Sequence, residues 1–151
     1  MDDNYLITVV GTQTVNGDSD SIEVITTGSC AEHNGRLTVT YPEFDEENPN
    51  DVTDTTVTLE DGRLTIERRG KMSSRLILEQ GVRHQCLYET PVGSMMIGIF
   101  TDRIESRFDE HGGEIRASYQ LDFNHNAVSY NQFQITVKEN RDQSRRIDHT
   151  Q

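Results

Sequence analysis

Apolar and polar residues alternate one for one through most of this chain, and the alternating stretches are cut at short intervals by turn dipeptides. Leu37, Val39 and Tyr41 alternate with Arg36, Thr38 and Thr40, while Val57 and Leu59 run into Leu64 and Ile66 across Asp61-Gly62. A period of two places alternate side chains on opposite faces of a strand, so each strand has one buried face and one wet face. Asn34-Gly35 and Asp61-Gly62 accept the positive φ angles of a type I′ turn, which closes antiparallel hairpins. No stretch carries a convincing helical period. The pattern predicts roughly nine or ten short-linked antiparallel strands in sequential order: Tyr5 to Val15, Ile22 to Cys30, and so on to Phe133, Ile135 and Val137. A meander of that length leaves two exposed edges unless it closes, and closure into a barrel of about 8–10 strands is the expected fold, with a sandwich as the alternative.

Several local features refine this expectation. Gln80-Gly81 turns one strand into the next, and Thr90-Pro91-Val92-Gly93 suits a type I turn. Met95 to Phe100 is the most continuous apolar run, which predicts a central strand or a partner contact, and Gly98 within it predicts a bend or bulge. Pro42 to Asp54 holds six carboxylates and no basic residue, and reads as an irregular, solvated loop over the barrel mouth rather than a calcium site. One domain over residues 1–138 followed by a polar, flexible tail at 139–151 is the expected organisation.

Charge excludes some partners. With 26 acidic against 14 basic residues the formal charge is −12, so nucleic acid and anionic membrane surfaces are not expected partners. A basic protein is electrostatically suitable. No run approaches the about 20 apolar residues of a membrane span. The start MDDNYLITVV lacks the basic segment of a signal peptide, so the expected location is cytoplasmic, with Cys30 and Cys86 reduced. Monomer and homodimer remain equally open.

The ordered set Arg69-Gly70, Ser74, Glu79-x-Gly81-x-Arg83-His84, Tyr88-x-Thr90-Pro91-x-Gly93, Gly98-x-Phe100-Thr101, Gly112-Gly113 and Tyr119-x-Leu121 resembles the YwiB-like family of small bacterial proteins, a domain of unknown function. The likeness runs over about residues 5 to 138. It implies a closed antiparallel barrel of the calycin (lipocalin-like) kind, and implies no activity, cofactor or ligand. The chain departs from true lipocalins in one respect: Gly11-Thr12-Gln13 stands where those carry Gly-x-Trp, and there is no tryptophan anywhere.

Barrel interiors are the default ligand sites of such folds. Strand parity nominates Tyr5, Met72, Leu76, His84, Tyr88, Met95, Ile97, Tyr119 and Phe123 as lining residues. Among groups able to bind a ligand, Arg75, His84, Tyr88 and Tyr119 are the candidates, with Arg75 or Arg83 as an anion clamp. A one-residue error of register would reverse every assignment. Structural hydrogen bonding is the commoner role of polar strand residues. His84 and Cys86 share a face, but a reactive thiolate needs an orienting third group, and none is evident. The histidines at 33, 84, 111, 125 and 149 lack metal-ligand spacing. The expectation is a non-enzymatic module holding a small, partly apolar ligand without cofactor or metal. The alternative is an acidic interaction module with a filled barrel.

Overall fold

A computed structural model describes residues 5–44, 47–48, 50–70, 73–90, 93–123 and 126–140. Met72, Pro91, Val92, His125, the carboxylates of Asp45 and Glu46, and the tail from residue 141 lie outside the described residues. Ten antiparallel strands follow in chain order: β1 (Tyr5–Val15), β2 (Asp18–His33), β3 (Arg36–Phe44), β4 (Val52–Glu60), β5 (Arg63–Arg69), β6 (Ser74–Glu79), β7 (Arg83–Thr90), β8 (Gly93–Asp109), β9 (Gly112–Phe123) and β10 (Asn126–Glu139). Each pairs with its neighbours in sequence and β1 pairs with β10, so the meander closes into a barrel. No helix is long and apolar enough to cross a membrane among the described residues.

The turn chemistry explains the hairpins. Asn34, at φ 53°, and Gly35, at φ 81°, join β2 to β3; Asp61 and Gly62 do the same between β4 and β5. A third pair of this kind, Asn16-Gly17, joins β1 to β2. It draws β2 back to Asp18, four residues before the expected start at Ile22, and builds a long hairpin in which Asp18–Gly28 pair with β1 but not with β3. The sequence reading of two apolar runs, Met95–Phe100 and Ile104–Phe108, resolves into one long β8 whose register shifts between Thr101 and Arg103. The irregularity therefore falls near Asp102 and not at Gly98, which keeps regular register with Gln85 and Asp122.

Gly98 is small for another reason. Arg83 reaches across it from β7 to Asp122 on β9, with Nε–Oδ2 at 3.0 Å and Nη2–Oδ1 at 2.6 Å, and a Cβ at residue 98 would strike both side chains. The acidic segment is likewise more ordered at its ends than expected. Pro42, Glu43 and Phe44 pair with Asp54, Thr53 and Val52, which extends β3 and β4 to the rim.

One half of the interior is packed. Ile7, Leu64, Leu78, Ile99, Ile115, Ile135 and Val137 are at most 1% exposed, and they interlock with Val39 and Val57. Each such side chain contributes about 1.5–3 kcal/mol of burial. Gly28 lets β2 approach this core: a Cβ there would meet the Thr40 carbonyl oxygen and lie 2.6 Å from Ile7 Cδ1.

The thinnest seam lies between β6 and β7, whose ladder holds only the Ser74–Tyr88 pair. It is closed at the packed end by side chains and by the turn. The Gly81 amide donates to the Thr101 carbonyl at 2.8 Å, and the Gln80 side chain accepts from the Ile104 amide at 3.0 Å, beside the β8 bulge.

Candidate functional site

The other half of the barrel is open. A cavity of about 700 Å³ occupies the end where β3 enters the β3–β4 link and where the β1–β2 turn lies. Its floor is the top of the core: Val9, Val57, Ile66, Leu76 and Ile135. Its walls are aromatic, with Tyr41, Tyr88, Tyr119 and Phe133. Tyr119 and Phe133 meet edge to face with ring centres 6.2 Å apart, which fixes both rings. The lip carries two largely exposed apolar side chains, Ile22 from the hairpin and Phe44 from the end of β3.

Polar groups stand in this mouth at specific positions. Arg68 Nε lies 3.5 Å from Glu43 Oε2, and both side chains line the cavity. Asn131 is buried and donates to Ser129 Oγ at 2.9 Å. Burial pushes the Tyr41 hydroxyl well above the ordinary tyrosine range; the Glu43 carboxylate adds to the rise and the Arg68 guanidinium opposes it. Burial also raises Tyr119, against a lowering by Arg68 and with a further rise from Tyr88. Both phenols are therefore neutral hydrogen-bond donors at physiological pH, and both feel Arg68.

The residues nominated from sequence separate into two places. Leu76, Tyr88 and Tyr119 line the cavity. Arg75 is exposed and pairs in register with Glu67 on the outer face, because it neighbours the inward Leu76 on one strand. The arginine that enters the cavity is Arg68. His84 sits at the packed end, where its Nε2 lies 3.0 Å from Glu79 Oε1; Arg63 Nη2 approaches the same oxygen at 3.3 Å. These contacts hold the Glu79 carboxyl below its usual range, with the His84 hydrogen bond the largest cause. Arg83 is committed to Asp122. Tyr5 and Ile97 pack on the core, and Met95 and Phe123 are exposed.

Cys86 is 4% exposed, and both cysteines are free thiols. His84 and Cys86 are not among the residues lining the mouth cavity. No group of three or more His, Cys, Asp or Glu side chains among the described residues is placed to hold a metal ion. Two of the other hollows among the described residues lie away from the barrel mouth. One, of about 610 Å³, runs over the outer face of β1, β10, β9 and β8 between charged and amide side chains such as Arg103, Arg116 and Gln132. The other, of about 280 Å³, is a shallow depression beside His111, whose Nδ1 lies 3.3 Å from Glu139 Oε2. Neither has an apolar floor comparable to that of the mouth.

The signal for the missed residues was parity carried past the last apolar position. Leu64 and Ile66 face inward, so Arg68 does too; Leu37, Val39 and Tyr41 lead in the same way to Glu43.

A closed ten-stranded up-and-down barrel with a cavity at one end places the protein in an all-β class consistent with the calycin-like form. The chain belongs to the family described as Domain of unknown function (DUF1934), whose profile matches residues 7–135. Its fold is shared with the crystal structure of the ywiB protein from Bacillus subtilis: the TM-score is 0.78 at 20% identity, over 89% of this chain and 90% of that one. No curated protein matches the chain.

Proposed function

We propose that this protein is a non-enzymatic binding module that holds a small, partly apolar molecule in the mouth of its barrel. The observation that carries the proposal is the cavity of about 700 Å³, with an aliphatic floor, aromatic walls and a few convergent polar groups. That combination of size and lining is typical of small-molecule sites. A barrel without such a task would gain stability by filling the space with larger side chains. The chemistry-bearing pair His84–Glu79 lies at the packed end, away from the space a ligand could enter, which supports binding rather than catalysis.

Native mass spectrometry of the protein purified from a bacterial host, paired with denaturing analysis, tests this. The expected result is an added non-protein mass on the native species that is lost on denaturation. A native mass equal to the bare chain or its dimer in every preparation would count against a retained ligand.

A further inference from the structure

We infer that the ligand of the mouth cavity is an amphipathic organic anion, with an oxyanion head held by Arg68 and an apolar body on the core floor. The inference rests on the cavity being a ligand site and adds the chemical class.

Cross-strand register carries the argument. Tyr41 on β3 pairs with Thr55 on β4, Thr55 with Arg68 on β5, Arg68 with Ser74 on β6, and Ser74 with Tyr88 on β7. All five share the inward parity of their strands, and Tyr41, Arg68 and Tyr88 of this row line the cavity, which sets two phenols around a guanidinium. Two residues deeper the corresponding row is Val39, Val57, Ile66 and Leu76, paired in the same order and wholly aliphatic. A polar row laid directly on an apolar one is a two-part surface. It fits a molecule with one charged end and one greasy end, entering tail first.

The buried Thr55 hydroxyl, which has no hydrogen-bond partner among the described residues, is not part of the cavity lining. Arg68 pairs only loosely with Glu43, with Nε 3.5 Å from Oε2, and no other carboxylate is paired with it among the described residues; its guanidinium is a fork able to grip an oxyanion side by side. The Tyr41 and Tyr119 phenols, both raised by burial, remain protonated and can donate. The groups within this row therefore offer donors and one positive charge, which is what an oxyanion needs and a cation does not. Three carboxylates also border the cavity: Glu43, which is paired with Arg68 and competes with a ligand for it, and Asp20 and Glu23 on the exposed hairpin, where water and salt screen them.

Two fluorescent probes with one body test the inference. Anilinonaphthalene sulfonate carries an oxyanion; N-phenyl-1-naphthylamine has the same aromatic body without it. The wild-type protein is expected to bind the sulfonate at least about tenfold more tightly, the worth of one charge-assisted hydrogen bond. Arg68→Gln should abolish that preference while leaving affinity for the neutral probe within about twofold. Glu43→Gln, which removes the competing carboxylate, should strengthen sulfonate binding. Far-UV circular dichroism of each variant establishes that it is folded. Octanoate should displace the sulfonate at concentrations where acetate does not; equal displacement by acetate would mean a bare anion site and overturn the amphipathic assignment. Equal binding of both probes, indifferent to Arg68→Gln, would overturn the anion assignment and leave the cavity as a ligand site. Failure of both probes to bind would overturn the cavity as well.

Discussion

Leu76 and Leu78 stand two residues apart on one face of β6, and shortening each to alanine distinguishes packed from open interior. Leu78 is fully buried among core side chains, whereas Leu76, 6% exposed, forms part of the cavity floor. Either substitution removes three carbon groups from an apolar environment, worth about 2.4 kcal/mol at about 0.8 kcal/mol for each. At Leu78 the void has no outlet, and the added cavity term brings the loss to about 3–4 kcal/mol, within the usual Leu→Ala range. At Leu76 the space merges with an existing one, and the loss stays near about 2 kcal/mol. The chain has no tryptophan, so urea unfolding followed by far-UV circular dichroism is the suitable assay. An unchanged urea slope would show that the denatured state is unaffected. The expected outcome is that Leu78→Ala costs at least about 1 kcal/mol more than Leu76→Ala. Equal losses, or a larger one at Leu76, would refute an open upper half.

Other perturbations read other parts of the structure. Gly28→Ala drives a Cβ into the Thr40 carbonyl, which backbone cannot yield, and should cost at least about 3 kcal/mol; Gly98→Ala only displaces the flexible Arg83 from Asp122, for about 1–2 kcal/mol, both read by chemical denaturation. Tyr41 has a folded pKa above its unfolded value of about 10, so its contribution is complete below pH 10 and is lost as pH rises toward the folded value. Thermal melts should therefore decline above pH 10, and Tyr41→Phe should decline less steeply; Tyr119 adds a slope of the same sign. Glu79 has a lowered folded pKa, so its contribution is complete above the ordinary carboxylate range and is lost as pH falls through the folded value. Glu79→Gln should flatten the acid side of the stability profile, measured by melting temperature between neutral pH and pH 3.

Much of the fold was legible because the signals were local. Asn-Gly and Asp-Gly fix hairpins by backbone conformation alone, and alternation fixes which face is buried. Asn16-Gly17 carried the same signal but sits in a polar stretch, where no apolar alternation marks the strand ends; the long β1–β2 hairpin was therefore underestimated. The asymmetry of the interior was not legible. Leu76 and Leu78 look alike in sequence, and whether the space beside each is filled depends on side chains from distant strands. Parity did identify Tyr88 and Tyr119. Arg75 was nominated against parity, being adjacent to the inward Leu76. His84 has the inward parity, but it stands at the start of β7, beside the β6–β7 turn, which brings it to Glu79 at the packed end. The role of Gly98 was hidden because its cause, the Arg83–Asp122 pair, spans residues 39 apart in sequence.

The central proposal is that a small molecule binds inside the mouth of this barrel. Amide chemical-shift mapping during titration with anilinonaphthalene sulfonate tests it most directly. Saturable shifts concentrated at Tyr41, Ile66, Arg68, Leu76 and Tyr119 are predicted, with Leu87 and Met96 on the exposed outer face of β7 and β8 unmoved. Shifts centred on Leu87 and Met96, or none at saturating probe, would contradict it.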